Sequence, residues 1–346
     1  MKTDRHIPRN WRPIVKLVCI AAVLTGGLIV ASERMSVSVA EDPYATDSSA
    51  LSSIRPATPN APSPRTVDTS AKAQSLLHRV VTTLVNGPAF DAKVRETVWT
   101  GGREVVGVGT YEQAGMGTGR YNLQVTMHDG DGKHRLQQIS DGRLAWTRSE
   151  IAGNVSLRRV DVGRLDQWVS AARTGLPVSP RLQVGAWVEM LASFLKDYDL
   201  QVKGAHLKER PIWVVSGKLK SSKREQVMAD SGLDEWPLLY PTKVRVAVAA
   251  ELDPATSFGA FLPVRIEFWS DPLMGDDDQA DASAGGQGRL ITLIEIYSIR
   301  PVSPPPVERF RFENQDDEVN FTNDTDFYIQ QYGVQLTERQ RRQLRR

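Results

Sequence analysis

Hydrophobic and polar residues alternate along the chain between Phe90 and Glu150, with the period of two that is typical of β-strands. The segment Arg120–His128 is the clearest example, because every second residue in it is apolar or aromatic. The apolar face of this segment consists of Tyr121, Leu123, Val125 and Met127. Turns rich in Gly and Asp, at Gly101, Asp129 and Asp141, separate the strand-like segments. The stretch therefore predicts an antiparallel meander without a helix.

Further strand-like segments follow this meander. They are Val155–Val162, Leu200–Leu207, Ile212–Leu219, Val244–Ala250, Leu262–Phe268 and Leu290–Tyr297. Short aromatic pieces near the C-terminus are predicted to finish an edge of the sheet, and they are Arg309–Glu313, Phe321–Thr325 and Phe327–Tyr332. The Asp-rich stretch Asp271–Gly288, with its acidic residues at 276–281, indicates a long solvated loop, and loose binding of a cation is a less favoured alternative because the ligand spacing of an EF-hand is absent.

Three segments have the three-and-four spacing of apolar residues that is typical of amphipathic helices. They are Ser70–Asn86, Asp161–Ala172 and Gly185–Tyr198, and the apolar face of the last is formed by Trp187, Met190, Leu191, Phe194 and Leu195. Helices and strands do not alternate as βαβ units. We therefore predict an α+β fold, with a strongly curved antiparallel sheet of roughly ten strands and helices that cover its concave side. The alternative is two β-rich subdomains divided near Leu182.

The first forty residues have the layout of an export signal, because a basic segment precedes the uncharged run Leu17–Ser32. The small residues at Ser38 and Ala40 favour cleavage, whereas an apolar run extended by Ile14 and Val15 permits a retained anchor. Residues 1–40 are therefore predicted to be a signal peptide or a transmembrane anchor. Lys and Arg are retained on the cytoplasmic side in both cases, so the folded part is predicted to be exported, in the periplasm or envelope.

The segments that flank the predicted domain differ from it in composition. Residues 41–69 are rich in Pro, Ser and Thr and have few large apolar residues, which predicts a disordered tether. Residues 70–335 contain the predicted strands and helices. Residues 336–346 form an Arg-rich tail with five arginines, for which contact with an anionic surface and a simple solvated end are both open interpretations.

Charge and cysteine content exclude several classes of function. The formal net charge is +2, but residues 1–40 hold six Lys and Arg against two acids, so the remainder is slightly acidic. This excludes a nucleic-acid binder by charge. The single cysteine, Cys19, lies in the N-terminal apolar run, so the folded part has neither a disulfide nor a thiolate metal site.

Catalytic and metal-binding motifs are absent from the sequence. It contains no G-x-S-x-G elbow, no H-E-x-x-H pair and no G-x-x-x-x-G-K loop, which disfavours an enzyme, and we predict no cofactor. A metal at the turn formed by His128, Asp129, Asp131 and His134 is an alternative to ordinary turn chemistry, and we favour the turn. We accordingly predict no catalytic residue and no metal.

Large apolar residues are frequent in the predicted sheet and helices. Most tryptophans are expected to be ordinary core residues. A curved sheet with apolar residues on its concave face and amphipathic helices above it is also a natural groove for an acyl chain. The candidates for lining such a groove are Leu123, Val125, Met127, Trp146, Trp187, Met190 and Phe194.

The order of these elements resembles a known superfamily. A helix is followed by a meander that begins F-x-A-x-V-R-E at Phe90, by a Gly-bearing second strand and by a D-G-x-x-x-W segment from Asp141 to Trp146. A helical cover and a second meander follow. This order, over roughly Ser70 to Tyr332, resembles the periplasmic lipoprotein carriers of the LolA/LppX/RseB type, and more narrowly an uncharacterised group of exported planctomycete proteins.

The resemblance implies an incomplete β-barrel closed by helices, whose apolar hollow takes lipoprotein acyl chains or lipids, or serves as a sensing module. No binding residue follows from it, and the tether and the Arg-rich tail are not features of a freely shuttling carrier. We predict a non-enzymatic protein that binds a lipid or a lipoprotein acyl chain. The alternatives are an envelope-sensing or protein-interaction module and, less favoured, a hydrolase.

Overall fold

The computed structural model describes residues 54–56, 69–100, 102–130, 132–172, 182–232, 236–237, 239–271, 288–314, 319–334, 336–338 and 340. The predicted signal or anchor segment, most of the predicted tether, the acidic residues 276–281 and the arginines of the tail lie outside these residues. None of the described helices has the length and apolar character that a membrane span requires. The segment boundaries at residues 40, 69 and 335 stay predictions.

The described residues form thirteen strands and five α-helices. The strands are β1 Ile54–Pro56, β2 Phe90–Thr100, β3 Arg103–Gln113, β4 Arg120–His128, β5 Lys133–Asp141, β6 Leu144–Ile151, β7 Asn154–Asp161, β8 Tyr198–Leu207, β9 Arg210–Leu219, β10 Lys243–Ala249, β11 Pro263–Ser270, β12 Arg289–Pro301 and β13 Phe321–Asn323. The helices are α1 Thr69–Asn86, α2 Val162–Ala172, α3 Ala186–Asp197, α4 Ser221–Ser231 and α5 Thr325–Gln331, with a 3₁₀ turn at Val307–Phe310.

All of the described strands belong to one sheet, in the order β1-β8-β9-β10-β11-β12-β2-β3-β4-β5-β6-β7-β13. Every pairing is antiparallel except that of β7 with β13, which is parallel. The central pair, β2 with β12, joins the meander β2–β7 to the meander β8–β12. The sheet therefore contains strands from both sides of Leu182, where the alternative boundary was placed.

The two faces of the sheet are packed differently. The concave face carries the apolar residues of β4 and is covered by α1 and α3. The main core lies here and contains residues of both meanders, for example Val94 of β2 and Val246 of β10. A smaller core, which includes Leu165 of α2 and Tyr328 of α5, lies at the end of β6 and β7. The α+β fold with a curved, open sheet and helices on its concave side is confirmed.

Contacts on the opposite, convex face are made by residues 302–314 and 319–323, which we call the C-terminal strap. The backbone carbonyl of Arg309 accepts a hydrogen bond from Asn122 of β4 (3.4 Å). The Phe312 ring stacks on Trp146 of β6 with centroids 4.9 Å apart, and β13 then adds to β7. The strap thus ties the C-terminal part of the chain to the first meander.

The sequence predictions are wrong for three segments in the second half of the chain. The piece Phe327–Tyr332 was predicted as sheet, but it lies mostly in α5, because Tyr328 and Ile329 follow Thr325 at helical spacing and are buried in the smaller core. The piece Arg309–Glu313 begins in the 3₁₀ turn. Helix α4 was not predicted, because Val227 is its one buried residue and no apolar stripe marks it.

Candidate functional site

Six of the seven predicted groove residues meet in the main core. Leu123, Val125 and Met127 of β4 share this core with Trp187, Met190 and Phe194 of α3, and each is 1–3% exposed. Trp146 lies elsewhere, on the convex face, where it contacts the C-terminal strap. The reason is register, because Trp146 pairs with Ile139 and so falls on the face opposite to Leu123 and Gln138.

Helix α3 spans the concave face from the first meander to the second. Near its start, the Trp187 ring stacks on Tyr111 of β3 with centroids 4.0 Å apart. Near its end, the Phe194 ring meets Phe268 of β11 edge-on at 5.7 Å. One amphipathic helix therefore covers both halves of the sheet, as its apolar face predicted.

Gly185, directly before α3, has a backbone conformation that favours glycine, with φ +90°. A Cβ at this position would lie 2.1 Å from the Tyr121 hydroxyl oxygen, so only glycine lets the chain approach β4 this closely. The Tyr121 hydroxyl donates a hydrogen bond to the carbonyl of Val184 (2.5 Å). Ala186 follows with φ +50°, which is uncommon for a residue with a side chain. The start of α3 is therefore held in a constrained backbone conformation.

Helix α1 completes the cover over the concave face. Its buried stripe includes Leu77, Val80 and Leu84, and it packs against α3 and β8. The Gln113 side-chain amide donates to the Leu84 carbonyl (2.9 Å), and the Tyr111 hydroxyl donates to the amide oxygen of Gln113 (3.0 Å). These polar contacts fix the C-terminal end of α1 to β3.

Polar side chains occur among the apolar residues of the concave side, and four of them have a buried atom with neither a hydrogen-bond nor an ion-pair partner among the described residues. These atoms are Glu96 Oε1, Gln138 Nε2, Glu189 Oε1 and Thr292 Oγ1. Buried polar atoms in proteins are nearly always paired, and an unpaired one costs about 1–3 kcal/mol. Other buried unpaired atoms are found at Arg159, Thr256 and Arg289, but these four lie between one sheet face and its covering helix, where water or polar atoms of a bound molecule would pair with them.

Two of these atoms lie at the start of α3. Glu189 accepts hydrogen bonds from the Gly185 N–H (2.6 Å) and from the Tyr328 hydroxyl of α5 (3.2 Å). Gln138 of β5 accepts one from the Ala186 N–H (2.9 Å). Burial raises the pKa of Glu189 to about 7, against the opposing effect of the hydrogen bonds from Gly185 and Tyr328. The carboxyl is therefore close to half protonated at neutral pH.

The other two unpaired atoms, Glu96 Oε1 and Thr292 Oγ1, lie at the centre of the sheet. Glu96 of β2 is opposite Ile294 of β12 on one side and Gly107 of β3 on the other. Burial raises the pKa of Glu96 to about 8, so its carboxyl is mostly protonated and neutral at pH 7. Thr292 of β12 is opposite Val98 and is fully buried. Neither residue was singled out as a candidate from the sequence.

The turn after β4 holds a histidine and aspartate pair. His134 Nε2 lies 2.8 Å from Asp129 Oδ1, and His134 Nδ1 accepts a hydrogen bond from the Ala152 N–H (3.2 Å). His128 is exposed, and Asp131 lies outside the described residues. In the described part of the chain, no group of three or more His, Cys, Asp or Glu side chains is placed to hold a metal.

Comparison with known proteins gives distant structural matches. No family model and no curated protein matches the chain. A LolA superfamily protein of Nitrosomonas europaea matches 69% of this chain and 97% of its own, at 14% identity and a TM-score of 0.26. LprF of Mycobacterium bovis matches 69% and 98%, at 11% identity and a TM-score of 0.33. MucB, solved in complex with MucA(peri), matches 70% and 60%, at 10% identity and a TM-score of 0.30.

These matches include the superfamily that the order of elements resembles. The narrower resemblance to planctomycete proteins stays a prediction.

Proposed function

We propose that the protein is an exported, non-enzymatic binding protein that holds an apolar ligand, a lipid or a lipoprotein acyl chain, between the concave face of its sheet and helices α1 and α3. The observation that carries the proposal is the set of four unpaired polar atoms on this largely apolar side. A core built only for stability has no use for them. An amphipathic ligand supplies both an apolar chain for the groove and polar atoms for these groups.

Entry of the ligand requires movement of α3, because the groove candidates on β4 and α3 are nearly fully buried. Ala186 at the start of this helix has φ +50°, a strained backbone conformation for a residue with a side chain. We propose that α3 moves away from β4 as a lid and that an acyl chain then replaces part of its contacts with the sheet. The basic segment and apolar run at the N-terminus support export of the domain to the compartment where such lipids occur.

The test uses the full-length chain and the uncharged dye N-phenyl-1-naphthylamine, which fluoresces in apolar sites. We expect saturable uptake of the dye, its displacement by monoolein, and lipid adducts of the purified protein in native mass spectrometry. Bare polypeptide in the mass spectrum, together with no dye uptake, would contradict the proposal.

A second candidate function is protein interaction at the edge of the sheet. The short strand β1, from the segment predicted to be a tether, pairs with Ala205, His206 and Leu207 at the outer edge of β8. An edge that accepts one extended segment also offers its backbone groups to a partner chain. Deleting residues 41–60 should increase capture of an envelope protein, and a peptide of residues 50–60 should compete for the same edge. If neither the deletion nor the peptide alters the amount of envelope protein captured, this candidate function is wrong.

A further inference from the structure

Glu96 and Thr292 are neighbours on the concave face at the centre of the sheet. Glu96 is opposite Ile294, and Thr292 is opposite Val98, so the two are a diagonal pair across β2 and β12. Diagonal neighbours on one face of an antiparallel pair are about 7–8 Å apart at their Cα atoms, within reach of a long side chain. The carboxyl of Glu96 and the hydroxyl of Thr292 are thus brought to one place by strands almost two hundred residues apart in sequence.

The two side chains do not use this proximity to pair with each other. Glu96 is 1% exposed and Thr292 is 0% exposed, yet Glu96 Oε1 and Thr292 Oγ1 have no hydrogen-bond partner among the described residues. Two adjacent polar groups that are both buried and both unpaired are rare in native interiors. Their arrangement leaves donors and acceptors free for a third group placed between them.

The surroundings restrict what this third group can be. The neighbours of Glu96 on this face of the sheet are uncharged, and besides Thr292 they include Val94, Val98, Ile294, Gly107 and Met127. Burial alone raises the pKa of Glu96, with no contribution from a charged group on any described element packed against it. No basic side chain among them could neutralise an anionic headgroup, and a buried unpaired charge is strongly unfavourable. The place therefore suits a neutral group that forms hydrogen bonds.

Space beside the carboxyl is taken up by an adaptable side chain. Gly107 has no side chain opposite Glu96, and a Cβ there would lie 2.4 Å from Met127 Cγ. The Met127 side chain therefore lies over Gly107, next to Glu96. Methionine is unbranched and changes rotamer readily, so it can give way to a ligand atom at small cost.

We propose that Glu96 and Thr292 are the polar anchor of the ligand site and that they select an amphiphile with an uncharged ester or hydroxyl headgroup, such as a monoacylglycerol. This inference rests on the proposed function. A protonated carboxyl has one O–H donor and acceptor oxygens, and a threonine hydroxyl has one donor and accepts as well. Together they donate to an ester carbonyl and accept from a hydroxyl. The acyl chain then extends over the apolar residues of β4 under α3.

The test compares monoolein with oleate, which has the same chain and an anionic head, as competitors for N-phenyl-1-naphthylamine at pH 7. We expect the wild-type protein to bind monoolein about tenfold more tightly than oleate, which is the effect of roughly one hydrogen bond. Glu96→Met should bind monoolein about tenfold more weakly and oleate unchanged. Glu96→Gln keeps a donor and an acceptor and should retain the preference, and Thr292→Val should reduce it.

The control is Glu104→Gln, on the exposed part of β3, which should change neither affinity. Raising the pH from 6.5 to 9.5 should weaken monoolein binding by the wild type, because Glu96 loses its O–H donor, but not by Glu96→Gln. If the wild type takes up neither dye nor lipid, the proposed function itself is wrong. If the wild type binds dye and lipid but Glu96→Met and Thr292→Val keep the full preference for monoolein, the assignment of Glu96 and Thr292 as the polar anchor is wrong and the proposed function stands.

Discussion

At the scale of single residues, two buried carboxyl groups determine how stability should depend on pH. Burial raises the pKa of Glu96 to about 8 and that of Glu189 to about 7, from the ordinary value of 4.5. The folded protein therefore binds more protons than the unfolded chain between pH 4.5 and 8. The free energy of unfolding must fall as the pH rises through this window.

We expect Glu96→Gln to flatten this decline, because glutamine does not ionise. The wild type should lose on the order of a few kcal/mol of stability between pH 5 and 8.5, since each unit of pKa shift corresponds to about 1.4 kcal/mol. Urea unfolding at a series of pH values measures the slope, with the exposed Glu104→Gln as the control. A slope in Glu96→Gln as steep as that of the wild type would contradict the assignment of a buried, neutral Glu96.

Residue-scale prediction from the sequence succeeded for apolar positions and failed for the polar ones. Leu123, Val125 and Met127 were placed on the packed face because burial follows the period of two. Glu96 was visible as the last residue of the F-x-A-x-V-R-E pattern, and it shares the parity of Val94 and Val98. That break in an apolar face was the available signal. Thr292 gave no such signal, because threonine is common in β-strands and does not stand out in the sequence.

At the scale of elements, helix α3 depends on the close approach of Gly185 to Tyr121. Gly185→Ala adds a Cβ that meets the Tyr121 hydroxyl, in addition to the cost of a positive φ. The matched control is Gly153→Ala, where φ is +80° and nothing lies within 4 Å of the added Cβ.

We expect Gly185→Ala to be less stable than Gly153→Ala by about 1–3 kcal/mol, which is the typical effect of overpacking. It should also take up N-phenyl-1-naphthylamine faster than the wild type, because α3 is held less firmly to β4. Chemical denaturation and stopped-flow fluorescence measure the two effects. Equal stability of the two variants would show that the contact does not position α3.

The C-terminal strap gives a second prediction at this scale, which tests whether the ligand binds at the concave or the convex face of the sheet. Trp146 stacks on Phe312 and meets Phe321 edge-on at 5.4 Å, so Trp146→Ala should cost about 1–3 kcal/mol of stability. Dye and lipid affinity should stay unchanged, because the ring lies on the convex face. Phe194→Ala, on the concave side, should weaken lipid binding. A loss of lipid affinity in Trp146→Ala would indicate that the ligand binds at the convex face, which would contradict our proposal.

At the scale of the whole molecule, the sheet is continuous through the β2–β12 pair. Alternation and turn chemistry predict the order of strands within each meander, because both are local. The pairing of β12 with β2 was not predicted, since it joins residues about two hundred positions apart and leaves no local signal. The polar anchor depends on this same pairing, which is why the sequence did not reveal it.

The continuous sheet predicts that the first meander does not fold by itself. A fragment of residues 69–180 would expose the edge of β2 and lose the core residues that β8–β12 contribute. We expect it to lack a cooperative unfolding transition in circular dichroism, whereas the full-length chain shows a single one. A stable, cooperatively folded fragment would instead support two subdomains divided near Leu182.

The most direct test of the central claim is to map where an acyl chain binds. A monoacylglycerol with a diazirine in its chain, photolysed on the full-length protein and located by peptide mass spectrometry, reports the contacting residues. We predict crosslinks to the concave side, at Val125, Met127, Met190 or Phe194, and their loss when excess monoolein competes. Crosslinks confined to the convex face or the C-terminal strap, or insensitive to the competitor, would contradict binding between the sheet and its helices.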